Sequence, residues 1–184
     1  MSGIVHSQEI IERQIIAMGV AYFDIATRKQ NGSTLTHEGL VLTQLWGLVD
    51  LLREQNRMGH TVLIRPHGEH GMTLLNGVSY QRLKELKVHG FEPAVVVQYG
   101  PDLFQAWLKH DRKLDKESSE RVAKCMAERI GADAAEAHWD SYGYLANFQL
   151  PAWVHGEADE VRLLEDSGKV YSAAPELLSQ YCGG

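Results

Sequence analysis

The run Val95-Val96-Val97, inside the segment Pro93 to Tyr99, constrains this chain more than any other feature. Three β-branched residues in succession favour a strand buried on both faces. Gly100-Pro101-Asp102 then turns the chain into Leu103 to Lys109, so a hairpin is the simplest reading. Helical patterns stand on either side of it. Ser79 can cap a helix from Tyr80 to His89 that Gly90 closes. Glu117 to Ile130 sets Val122, Met126 and Ile130 one turn apart, opens on an acid that suits the helix dipole, and ends at Gly131.

The N-terminal half extends the alternation. Ser7 to Met18 places Ile11, Ile15 and Met18 on one helical face, with Gly19 where a left-handed cap is wanted. Val20 to Arg28 alternates apolar and polar through Tyr22, Asp24 and Ala26, and Asn31-Gly32 is a tight-turn signal. Thr36 to Met58 repeats Leu42, Leu45, Trp46, Val49 and Leu52 at helical spacing, so a helix ending at Gly59 is expected even though Gly39 and Gly47 weaken it. His60 to Arg65 and Gly71 to Leu75 read as strands paired across the turn Pro66 to His70. After Ala132 the pattern loses regularity through the aromatic segment Trp139 to Phe148 and the breaker Pro151, and the Gly183-Gly184 tail is too short to interpret.

A chain of 184 residues, 44% of them hydrophobic, buries one core, and a single domain over 1–184 is the expectation. The net charge of −6 removes the generic argument for a nucleic-acid binder, a basic surface, and leaves only local basic patches. Cys125 and Cys182 are far apart in sequence and read as plain thiols in a reducing cytosol. The start MSGIVHSQEIIERQ lacks the profile of a secretory signal, and no apolar run is long enough to cross a bilayer, so a soluble cytoplasmic protein is expected.

Four segments in order carry a resemblance. They are Ile15 to Gly19 leading to Phe23-Asp24-Ile25, Ile64-Arg65-Pro66 followed by His70-Gly71, Gly90 to Val97, and Gln105-Ala106-Trp107; a fifth, Tyr142 to Phe148, is a weakened late motif. Together they resemble the RepB-type plasmid primases, a branch of the archaeo-eukaryotic primase superfamily found on mobilisable plasmids and sometimes fused to relaxases. The match is strongest over 10–148, with 149–184 as a C-terminal extension of the same domain. It implies an α/β (α+β) primase-like fold, a largely antiparallel sheet flanked by helices, in which strands like Val62 to Arg65 and Met72 to Leu75 deliver metal ligands to a cleft. The helical accessory domain that follows in the family's full-length primase has no counterpart in these residues.

The resemblance also identifies what has changed. Primer synthesis needs clustered carboxylates, because two divalent ions must activate a 3′ hydroxyl and neutralise a triphosphate together. Where the family carries an Asp-Asp pair this sequence reads Asn76-Gly77, itself a tight-turn dipeptide. A third family Asp aligns with His138, and a shift of two residues brings Glu136 or Asp140 there instead. The late motif's arginine falls at Tyr144, and its asparagine and lysine at Gln149-Leu150. The family's metal positions are thus Asn76, Gly77 and His138, expected to be inactive.

Other candidates are weighed against plainer roles. His67 and His70 with Glu69 have the donor types of a zinc or manganese site, although such a turn is more often simply surface. Glu136, His138 and Asp140 alternate, and in an extended segment they would share one face and rebuild a metal site; as a short helix or a solvated loop they would not. Arg65, His70, Trp107 and Tyr144 are candidate nucleotide or nucleic-acid contacts, Arg65 through forked donors and Trp107 by stacking, against a salt bridge and a core role respectively. Asp24 is either a structural acceptor or a remaining metal contact, with structure favoured.

The reading that follows is a catalytically diverged RepB-like primase domain that binds single-stranded nucleic acid, a nucleotide or a replication or conjugation protein, with no cofactor. One alternative is an active primase or nucleotidyltransferase with a displaced Mg²⁺ or Mn²⁺ site. Another is a different metal-dependent phosphoryl-transfer enzyme or hydrolase.

Overall fold

The computed structural model describes residues 2–182, so Gly183 and Gly184 lie outside it. Val95, Val96 and Val97 form the middle of β5 (Val95–Gly100), and all three are fully buried. Val95 and Val97 face one apolar cluster, whereas Val96 faces a second on the opposite side. The strand therefore has a core on each face, as its composition demands.

β5 pairs antiparallel with β6 (Leu103–Lys109), which pairs with β4 (Met72–Val78), while β10 (Arg162–Glu165) borders β5 on its other side. The face carrying Val96, Leu75, Ala106 and Leu108 is covered by α4 (Tyr80–Val88) and α5 (Lys116–Ile130). Both helices begin on side-chain caps: Ser79 accepts from the Arg82 N–H and Asp115 from the Ser118 N–H. Gly131 closes α5 in the left-handed conformation at φ 75°.

The other face packs on α1 (Ser2–Met18) and on a second sheet. That sheet has the order β2 (Thr34–Leu40), β1 (Phe23–Arg28), β3 (Thr61–Pro66) and β7 (Gly143–Tyr144), again antiparallel throughout. Ile11, Ile15 and Met18 of α1 are buried in the shared cluster. A two-stranded ribbon of β8 (Gln149–Leu150) and β9 (Asp159–Glu160), with α6 (Ala152–His155) between them, completes this side. No helix among the described residues is long and apolar enough to cross a membrane.

Three expectations need correction. The helix read from Thr36 to Met58 is instead β2 followed by α2 (Leu42–Trp46) and α3 (Val49–Arg57). The Asn31-Gly32 turn returns the chain onto the open edge of β1, and the pairing from Arg28↔Thr34 to Phe23↔Leu40 satisfies backbone groups that helical spacing alone does not account for. The strands on either side of Pro66 to His70 are not partners, since β3 lies in one sheet and β4 in the other. The crossover is possible because Gly71 is a glycine: any Cβ there would collide with the Arg112 carbonyl.

The segment Asp133 to Asp140 is a succession of turns, the loop favoured for it over an extended segment or a short helix. Finally, Cys125 and Cys182 form a disulfide rather than two thiols. α7 (Pro175–Cys182) lies along α5 and brings their Cα atoms to 5.3 Å, within the range a disulfide spans. Separation along the chain was a poor guide to separation in space.

Candidate functional site

Where the end of β4 meets the turns after α5, the structure opens a recess of about 260 Å³. Arg65 comes from β3, Asn76 from β4, and Glu136, His138 and Asp140 from the irregular segment. Arg28 and Tyr142 complete the wall. Two residues singled out from the family's metal positions, Asn76 and His138, thus meet on one surface, beside Glu136 and Asp140, the other two residues of the alternating motif.

Asn76, His138 and Arg65 there are each engaged by another group of the chain. Asn76 Oδ1 accepts hydrogen bonds from the Tyr99 hydroxyl at 3.2 Å and from Gln105 Nε2 at 3.0 Å. Burial pushes Tyr99 up to about 12, so at neutral pH it is a phenol that donates. An amide oxygen has two lone pairs, and both are engaged. Gln105 in turn accepts from the Tyr144 N–H at 2.7 Å. This Gln, noted in the sequence only as part of the Gln105-Ala106-Trp107 segment, ties β4, β6 and β7 together. Gly77 follows in the left-handed conformation at φ 68° at a β-bulge, and supplies no side chain.

His138 directs Nδ1 at Glu120 of α5 at 2.8 Å, and this partner raises the imidazole above its ordinary pKa. Arg65 donates Nε to Asp24 Oδ2 at 2.9 Å and Nη1 to the Asp140 carbonyl at 3.1 Å, with its guanidinium 4.2 Å from the centre of the Tyr142 ring. Asp24, with a side chain only 3% exposed, accepts also from the Gly39 N–H and His67 Nδ1. Among the described residues no group of three or more His, Cys, Asp or Glu is arranged to hold a metal ion. Glu136, His138 and Asp140 share a wall, with His138 held by Glu120 and Asp140 beside Arg65. The His67, Glu69 and His70 turn likewise forms no such group.

Three predicted contact residues sit elsewhere. Trp107 is 1% exposed, and its ring packs so closely on Gly143 that a Cβ there would stand 2.9 Å from Cζ2. It is a core residue with no face for a base, and the glycine of the late motif is there to admit it. His70 is buried with both ring nitrogens engaged, Nε2 on the Trp139 carbonyl at 2.7 Å and Nδ1 accepting from the Met72 N–H at 3.1 Å. Burial holds this imidazole below its ordinary pKa. Tyr144 is half-buried against Tyr99, ring centres 5.0 Å apart, and does not line the recess.

Two antiparallel sheets with helices on the far face of one, and a polar recess at the end of β4, define a domain of the primase-polymerase class. The corresponding domain of the cyanophage S-2L primase-polymerase superposes on 93% of this chain with a TM-score of 0.64 at 11% identity, a likeness of fold alone. Within that class the chain belongs to the RepB DNA-primase N-terminal domain family, whose pattern matches residues 44–181. The catalytic domain of primase RepB′, solved in complex with initiator DNA, is 32% identical, with a TM-score of 0.86 over 95% of this chain and 93% of that one. Mobilization protein A of Escherichia coli is 32% identical over 178 residues, which are 94% of this chain and 25% of the relative, so the chain spans about a quarter of that protein's length.

Proposed function

We propose that this domain, one unit over 1–184, keeps the primase fold without ordinary primer synthesis. It would serve the replication or conjugation of a plasmid or other mobile element, in the cytoplasm, by holding single-stranded nucleic acid, a nucleotide or a partner protein. The RepB′ domain was captured with initiator DNA, and DNA is the ligand class we carry over to this chain.

The observation that supports this reading is the double hydrogen bond on Asn76 Oδ1. A pair of divalent cations must be held by several anionic oxygens. Here the family's first carboxylate position offers a neutral oxygen engaged by two donors, and the second offers a glycine. The donor set does not fit a two-ion centre, and no chemical step is derived through one.

The competing reading is an active nucleotidyltransferase whose displaced Mg²⁺ or Mn²⁺ site uses Glu136, His138 and Asp140. Their presence on one recess with Asn76 and Arg65 favours it; the engagement of His138 by Glu120 opposes it. Titration with Mn²⁺ or Mg²⁺, a nucleoside triphosphate and a single-stranded template discriminates the two. We expect no labelled oligonucleotide. Template-dependent product that disappears in His138→Ala overturns our reading in favour of the displaced site.

A further inference from the structure

The segment that leads into α7 and α7 itself are anchored in different ways. Before the helix, the Tyr171 hydroxyl and His110 Nδ1 share a hydrogen bond at 2.7 Å. Glu92 accepts from the Ser172 N–H at 2.8 Å and from its hydroxyl at 2.7 Å, and the Ala173 N–H donates to the Gly90 carbonyl at 2.8 Å. Ala174 and Pro175 are then exposed. Within α7 the Leu177 N–H and the Ser179 hydroxyl donate to the carbonyls of Ala174 and Pro175, at the helix's own start. What α7 lays on the apolar cluster beside α5 is Leu177, Leu178 and Cys182, all three only half-buried.

The packing around this helix is open. Leu178 and Ser179 enter the walls of two hollows, one of about 330 Å³ with Leu114, Val122 and Cys182, the other of about 150 Å³ with Tyr171 and Pro175. A helix of two turns is marginal in water, and half-buried leucines beside hollows recover only part of the apolar area that full burial would. Cys182, in the last turn, closes on Cys125 of α5 across a separation of 57 residues, with the Cα atoms 5.3 Å apart. The crosslink supplies what the packing lacks. Both cysteines are half-buried, and Cys182 opens on the larger hollow, where Arg112, Lys113 and Arg121 share the wall. Cations beside a sulfur favour its thiolate, and an accessible disulfide exchanges more readily than one sealed in a core.

We propose that Cys125 and Cys182 form a thiol–disulfide latch that holds α7 on α5 and is opened by a dithiol. A thiolate of the reductant attacks Cys182 Sγ, the bond to Cys125 breaks, and Cys125 leaves as a thiolate that takes up a proton. The second thiol of the reductant then displaces Cys182, which is protonated in turn. Two electrons have passed to the protein, two cysteine thiols stand where the disulfide was, and the reductant is left as a disulfide. Once released, α7 swings about the exposed Ala174, while the segment up to Ala173 keeps its hydrogen bonds. Leu114, Val122 and Leu178 come to solvent as it does so, and the two sheets keep their pairing. The latch does not depend on what the recess binds.

The test is amide hydrogen exchange, read by mass spectrometry, on the full chain oxidised with glutathione disulfide and again after dithiothreitol. Reduction is expected to speed exchange in α7 by about tenfold or more and to leave the amides of β5 and β6 unchanged. Glutathione disulfide added back should restore the protection of α7. Cys182→Ser should exchange like the reduced chain with or without dithiothreitol, which ties the change to this one bond. Equal protection of α7 in both states would mean that packing alone holds the helix. Loss of protection in β5 and β6 on reduction would make the bond a staple of the core instead of a latch. A bond that dithiothreitol leaves intact in the folded chain, or two thiols that glutathione disulfide leaves unjoined, would show that nothing opens or nothing closes. Each of these results overturns the proposal.

Discussion

The recess and a groove of about 440 Å³ between the end of α1, the crossover from β3 to β4 and the turn after β6 treat their polar groups in opposite ways. In the recess, Asn76, Arg65 and His138 are each met by another group of the same chain. In the groove and at its rim, Arg112, Lys113 and Lys116 have no ion-pair partner among the described residues. A group satisfied within the fold belongs to the scaffold, since a ligand must displace an existing bond for little net gain. An exposed, unpaired cation can take a phosphate and release counterions, which is favourable without any rearrangement. Retained fold and retained chemistry are thus separable, even a few residues apart.

The comparison breaks first at Asp24, where the largest effect is expected. Asp24→Ala leaves the Arg65 guanidinium, the His67 ring and the Gly39 N–H without their shared acceptor. The loss should be about 3–5 kcal/mol, measured as a fall in the urea midpoint at constant slope. A change below about 1 kcal/mol would mean that the groups behind the recess are not scaffold.

A somewhat smaller effect comes from His110, which lies beneath the groove. Its imidazole bonds Thr73 Oγ1 and the Tyr171 hydroxyl, both at 2.7 Å, and burial pushes it down to about 4. The ordinary value of the unfolded chain is higher, so between pH 6.5 and 4 the unfolded state takes up the proton first. Its contribution is therefore complete above the ordinary value and is lost as pH falls through that window, by about 3 kcal/mol at most. His70, held low by burial as well, acts with the same sign. Urea titrations at pH 7 and pH 5 should show the drop, and His110→Gln should flatten it; a pH-independent midpoint contradicts the neutral, buried imidazole.

The smallest effect sharpens the contrast. Arg112→Ala/Lys113→Ala should leave stability within about 0.5 kcal/mol of wild type, because these exposed side chains form no ion pair. A larger fall in the thermal midpoint would move them from ligand surface to scaffold.

Elements dominated by neighbours in sequence were legible without a structure. Ile11, Ile15 and Met18 marked the buried face of α1, and Ser79 and Gly131 marked helix ends. The paired strands β5 and β6 followed from Val95 to Val97 and the Gly100-Pro101 turn. Thr36 to Leu40 was misread as helix because its partner, β1, outweighed the helical spacing that follows it. The recess was half legible. Asn76 and His138 could be named from family positions, but Glu120, Tyr99 and Gln105, which engage them, come from α5, β5 and β6. The stacking candidate was placed on Trp107, yet a strand tryptophan carries no sign of which face is solvent, and Trp107 is 1% exposed.

By itself the sequence determined the helices and their caps, the doubly buried strand, and the lack of a carboxylate at residues 76 and 77. These depend on side-chain type and on neighbours within a turn or a hairpin. The tertiary structure alone decided that β3 and β4 part into two sheets, that Cys125 meets Cys182, that the Asn76 oxygen is engaged and that Lys116 rests on the Trp139 ring. Such pairings join residues far apart along the chain, and their energy depends on which surfaces the packed core brings together.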